Sequence, residues 1–112
     1  MFWRKKVEEV NKIEKLVSEY VIWMEGILPC EKMKIRIYED QDGTFNGCTD
    51  VRIKRKFDGD FEGSVGFGPT EEEALRDTID WFLKMINEDY PRKDYPNGLS
   101  DNHIEHIDYS EF

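Results

Sequence analysis

Apolar residues fall at Trp3, Val7, Val10, Ile13, Leu16, Val17, Tyr20, Val21, Met24 and Ile27. Steps of three and four put them on one stripe, which predicts a long amphipathic helix over residues 2–26. Gly26 supplies a left-handed exit and Pro29 bars continuation. Run straight, about 24 residues span ~36 Å, more than a three-stranded sheet covers. Part of the stripe is then left for a second copy of the chain, as a homodimer through this first helix.

The period next changes to two. Met33, Ile35 and Ile37 alternate with Lys34, Arg36 and Tyr38, and Val51 and Ile53 alternate with Arg52, Lys54 and Lys56. Phe61, Val65 and Phe67 supply a third inward face. Asp42-Gly43 and Asp58-Gly59 are turn dipeptides that accept positive φ, so the three strands form an antiparallel meander. A second helix begins at Thr70, which caps it with Glu73 three residues on. Leu75, Ile79, Phe82, Met85 and Ile86 form its buried stripe, and Pro91 ends it near Asp89.

Beyond Tyr90 the chain is rich in Pro, Asn, Asp and Tyr, with a weak apolar trace at Leu99, Ile104, Ile107, Tyr109 and Phe112. This reads as a tail that packs in part, through a short turn or strand after Ser100. The expected architecture is therefore α+β in the order α-β-β-β-α. Its parts are a long N-terminal helix, a three-stranded meander and a second helix on one sheet face. Residues 1–90 make one domain and residues 91–112 an acidic, aromatic-containing tail.

The 112 residues suffice for a single core. The net charge of −9 is unevenly placed: residues 69–112 hold four basic and twelve acidic side chains, whereas the two preceding thirds are nearly balanced. That field opposes direct nucleic-acid binding and favours a protein partner with a basic surface. With no apolar run near the roughly 20 residues of a membrane helix and no signal-peptide core after Met1, the expected location is the cytoplasm of a bacterial host cell. Cys30 and Cys48 are then free thiols.

The chemistry-bearing motifs are sparse. Cys30, Cys48, His103 and His106 are the donors of a Cys2His2 zinc site, but eighteen positions separate the thiols where a knuckle has two to four; buried thiols and surface histidines are the expected outcome, with no metal or cofactor. Residues 40–44 begin like a calcium loop, yet Phe45 stands where that loop needs glycine and Val51 where it needs glutamate. No phosphate loop or nucleophile elbow is present, so an enzyme is not expected. Alternation sends Lys34, Arg36, Arg52, Lys54 and Lys56 to the sheet face opposite the helices, as a basic plate.

Residues 66–74, Gly-Phe-Gly-Pro-Thr-Glu-Glu-Glu-Ala, resemble the Gly-x-Gly-x-Ser-Lys-Lys-x-Ala pattern at the start of the last helix in double-stranded-RNA-binding domains, with Glu71 and Glu72 where that family holds phosphates with lysines. Residues 68–75 also resemble the Gly-x-Thr-x-Glu-Glu-Ala entry to the helix of HicB-like antitoxins. That likeness covers about residues 33–88 and implies a module that binds a small cognate protein. By type, a small acidic chain without a catalytic set resembles phage-encoded inhibitors of bacterial defence, including anti-CRISPR proteins. This likeness implies carboxylates presented where a target, such as an RNA-guided effector complex, expects nucleic-acid phosphates. The residues that would do so are Glu71, Glu72, Glu73, Asp77 and Asp80 along the second helix, with Glu88 and Asp89 at its end.

Overall fold

The computed structural model describes residues 2–108 and 112, Phe2 by its backbone alone. Four antiparallel strands, β1 (Glu14–Trp23), β2 (Lys32–Asp40), β3 (Phe45–Lys54) and β4 (Phe61–Gly68), lie side by side in chain order. The helix α1 (Glu71–Asp89) follows, and a short β5 (Ile104–His106) pairs with β3. None of the described helices is long and apolar enough to cross a membrane.

The long N-terminal helix is not formed. Phe2–Arg4 is a single 3-10 turn, residues 5–13 run as bends and turns, and β1 takes up the rest. Tyr20, Val21, Ile22 and Trp23 favour the extended chain, and β1 gains a full ladder with β2, from Glu14 opposite Asp40 to Trp23 opposite Lys32. Alternation is hidden because both faces of β1 carry apolar residues: Tyr20 and Ile22 turn to the core, and Leu16, Val21 and Trp23 turn away from it. Val17 sits in a bulge between them. With the helix gone, the expected homodimer has no first helix to carry it.

The order of the meander and α1 follows the sequence pattern, but β4 is turned over. Ser64 and Gly66 face the core, while Val65 and Phe67, expected inward, are exposed on the other face, because the close seating of Thr78 leaves no room for a side chain at Gly66. Gly43 and Gly59 take φ of 89° and 76° in the two hairpin turns. The Thr70 hydroxyl accepts from the Glu73 N–H at 3.1 Å, and three glutamates occupy the positive end of the helix. Met33, Ile35 and Ile37 of β2, Val51 and Ile53 of β3, and Ala74, Phe82, Met85 and Ile86 of α1 make the core.

Contact between α1 and the sheet is unusually close at Thr78. A methyl group on Gly66 would lie 2.7 Å from the Thr78 Cα, and one on Gly47 would lie 2.9 Å from Ile37 Cδ1 and still nearer the Thr78 hydroxyl. Buried hydroxyls hold this junction. Thr78 Oγ1 donates to the Ala74 carbonyl, and Ser64 Oγ donates to the Thr78 carbonyl, both at 2.7 Å. Ser64 N–H in turn donates to Thr49 Oγ1 at 3.0 Å, which donates to the Val51 carbonyl. Thr49 thus satisfies the groups left over where β3 bulges against β4, between Cys48 and Arg52.

At the same place β2 parts from β3. Their pairing ends at Ile35 and Thr49; the Asp50 carboxylate then accepts from Lys34 N–H at 2.7 Å, while the Asp50 carbonyl accepts from Ile107 N–H at 2.8 Å. β5 enters the gap and pairs with Val51, Arg52 and Ile53. The segment after Tyr90 adds buried Leu99 to the core, with its N–H on the Ile27 carbonyl at 2.9 Å. Tyr109 of the expected apolar trace lies outside the described residues.

If the Thr78 junction sets the helix against the sheet, Gly66→Ala costs at least about 2 kcal/mol through overpacking. Gly63→Ala, whose methyl would come no nearer than 3.3 Å to Thr49 Oγ1, costs clearly less. Urea unfolding of the two variants checks the order.

Candidate partner-binding face

One face of the sheet carries α1, and among the described residues no further helix or sheet covers the other, though Phe112 rests on it. Two cross-strand rows run over the open face: Leu16, Tyr38, Asn46 and Phe67 are successive partners, and so are Glu19, Arg36, Cys48 and Val65. Partners in such rows stand about 4.5–5.5 Å apart, so the rows form a continuous surface. Phe67 is 66 % exposed, Val65 51 % and Leu16 49 %. Val21 and Trp23 extend the apolar area along β1, and the Trp23 ring lies 4.9 Å from the Lys32 ammonium.

Arg36 stands at the centre, only 6 % exposed. Its Nε donates to the Glu19 carboxylate at 2.8 Å, and its guanidinium lies 4.4 Å from the ring centroid of Phe112. The Tyr38 hydroxyl donates to the Phe112 carbonyl at 3.2 Å. The hydrogen bond from Arg36 holds the Glu19 carboxyl below its ordinary pKa, with Lys34 adding to the effect from 3.7 Å. An aromatic side chain therefore already rests on this face through a cation–π contact.

The acidic residues expected to act together along α1 are divided. Glu72, Glu73 and Asp80 are exposed and Glu71 half-buried, with Arg76 reaching Asp80 at 3.9 Å. Asp77 accepts from Phe67 N–H at 2.9 Å and covers a donor on the free edge of β4. Glu88 and Asp89 are bound by Arg55, at 3.1 and 2.7 Å, and a third carboxylate, Glu62, completes that cluster at 2.5 Å. Glu71, Glu72 and Glu73 remain as an acidic turn beside Phe67, where β4 passes into α1.

Lys34, Arg36, Arg52 and Lys54 do share the open face, but Glu19 of β1 meets the first two and Glu105 of β5 meets Arg52 at 3.3 Å. Lys56 lies past the end of β3. β1 reads as helix in the sequence, and the turn or strand expected after Ser100 has no pairing partner legible there, so the plate looks more basic in sequence than it is. The four zinc donors are not brought together. Cys30 and His106 line one cleft of about 180 Å³, Cys48 faces outward between Arg36 and Val65, and the His103 ring packs 4.7 Å from Tyr90. Burial pushes both thiols up in pKa, away from the thiolate.

No family model matches this chain, and no curated protein and no solved structure matches it.

The Arg55 cluster has a direct consequence for stability. Arg55 is 11 % exposed and Asp89 13 %, so Arg55→Gln leaves a largely buried carboxylate with much weaker compensation and lowers stability by about 3 kcal/mol. Guanidinium denaturation measures this, and restoration by the second change Asp89→Asn identifies the unpaired charge as the cause.

Proposed function

We propose that the chain is a non-enzymatic binding module that holds another protein against the open face of its sheet, with the first turn of α1 as an acidic rim. The observation that carries this reading is the set of exposed apolar side chains, Leu16, Val21, Trp23, Val65 and Phe67, at outward positions that are polar in a sheet face made for water.

Charge narrows the partner. Glu71, Glu72 and Glu73 stand beside the apolar rows, and the whole molecule carries −9, so the complementary surface is basic at its margin and apolar or aromatic at its centre. A surface that holds single-stranded nucleic acid has both features, cations for phosphates and aromatic groups for bases. Occupying it would block nucleic acid, which is the inhibitor role expected from the acidity of the chain. The contact moves from the length of α1 to the sheet face and the helix's first turn.

Affinity capture from a bacterial lysate with three baits tests the proposal. The wild type is expected to retain a basic, nucleic-acid-binding protein. Val65→Ser with Phe67→Ser should lose it at every salt concentration, and Glu72→Gln with Glu73→Gln should lose it as salt rises. All four positions are exposed, so stability should shift by no more than about 0.5 kcal/mol per change. Equal recovery by all three baits would sink the assignment of this face.

A further inference from the structure

Where the β3–β4 turn faces the turn after Ser100, a cleft of about 380 Å³ is lined by Lys54, Arg55, Lys56, Tyr90, Asn102 and His103 among others, with no carboxylate in its wall. The chain has 25 acidic residues against 16 basic ones. Arg4, Lys12, Lys34, Arg36, Arg52, Arg55 and Arg76 meet carboxylates, whereas among the described residues neither Lys54 nor Lys56 forms an ion pair. Arg55 brings no free charge, being held by Glu62, Glu88 and Asp89. Asp89, whose field reaches Lys56, is itself held by Arg55 and by the Lys56 N–H at 3.2 Å.

Three of the donors of the cleft, on Lys56, His103 and Asn102, are held in place. The Lys56 ammonium lies 4.4 Å from the Tyr95 ring centroid and 5.0 Å from that of Tyr90, and it donates to the Tyr95 hydroxyl. His103 packs against both tyrosine rings. Its Nδ1 accepts from Ser100 N–H at 3.0 Å, so the neutral ring carries its proton on Nε2. Asn102 Oδ1 accepts from the Ser100 hydroxyl at 2.5 Å, which leaves its amide N–H groups as donors. The Tyr90 hydroxyl is committed to the Lys54 carbonyl. Two ammonium groups, an imidazole N–H and an amide therefore bound a space without a competing acceptor, and an oxyanion with several acceptor oxygens is the complement of that set.

We propose that this cleft binds the phosphate group of a small phosphorylated ligand, between Lys54 and Lys56 with His103 and Asn102 completing the donors. A phosphate dianion matches two cations in charge, and its oxygens accept the remaining N–H groups. The site lies at the end of β4 opposite Phe67, away from the apolar rows of the open face. Burial and the two lysines hold the His103 pKa below its ordinary value, so a bound dianion, by offsetting those lysines, raises it.

His103 and His106 are the two histidines of the chain, which makes the test direct. The imidazole proton resonances are followed by NMR as inorganic phosphate, and separately adenosine monophosphate, is added to the whole protein at constant ionic strength set with sodium chloride. Expected are a saturable shift and a raised pKa at His103, half-complete at about 1 mM or below, with a much smaller response at His106. Saturation by the nucleotide alone assigns the ester, and saturation by both assigns the phosphate group itself. Lys54→Gln, at an exposed side chain, should weaken binding at least tenfold without disturbing the His106 signal, and Lys56→Gln should do the same. An equal response to chloride, no saturation below roughly 50 mM, or undiminished binding in the Lys54→Gln protein overturns the site and leaves an adventitious ion only.

Discussion

The close seating of α1 at Thr78 is the constraint from which the rest of the molecule follows. Gly47 and Gly66 have no side chains, so the helix backbone comes down onto β3 and β4 at distances where any Cβ would collide. Ser64 and Thr78 close the junction with buried hydroxyl-to-carbonyl bonds, and Thr49 extends them to the bulge in β3. Hydroxyls buried this deeply are tolerated because each one finds an acceptor. A single helix anchored there covers one face of the sheet. Among the described residues no second helix or sheet covers the other face, and the exposed apolar rows lie there.

The bulge that Thr49 stabilises also separates β2 from β3, and this shapes the other half of the molecule. Asp50 caps the Lys34 amide with its side chain and receives Ile107 with its carbonyl. β5 is admitted beside Val51–Ile53 and brings Glu105 to Arg52. The same C-terminal region carries His103 and Asn102 to the cleft beside Lys54 and Lys56. One irregularity in one strand thus brings Glu105 to Arg52 and sets the turn after Ser100 beside Lys54 and Lys56.

Electrostatics in this chain are local in spite of the overall charge. The net charge of −9 is largely a property of residues 69–112, yet several of those carboxylates are occupied. Asp77 serves the edge of β4, and Glu88 and Asp89 serve Arg55. On the open face Glu19 offsets one of the two charges of Arg36 and Lys34, so the centre of that face is less basic than its cations alone suggest. Buried or half-buried pairs of this kind are weakly screened and hold geometry more than they add stability. What is left to meet a partner is the apolar area and the short acidic turn from Glu71 to Glu73.

Local rules made several elements legible in the sequence. α1 could be read because its cap, its 3.6-residue stripe and its stop all lie within the residues it comprises, and β2, β3 and the Asp-Gly turns because their signals are equally local. The face of β4 could not, because its apolar Val65 and Phe67 point outward while Ser64 and Gly66 face the core. β1 misled because Leu16, Val21 and Trp23 are apolar on its outward side; filled on both faces, the strand presents helix-like spacings, and only its pairing with β2 and the absence of a covering layer among the described residues make those residues an exposed surface. β5 is three residues long and exists because β2 leaves a gap at Asp50. The division of the acidic set rests on Arg55, 34 residues before Asp89, and the neutralised basic plate on Glu19 and Glu105. The sequence by itself determined the elements whose stabilising contacts are near in the chain, together with the net charge. The tertiary structure decided which face stays open, which charges cancel and which donors share a cleft, because those outcomes depend on contacts between residues far apart in sequence.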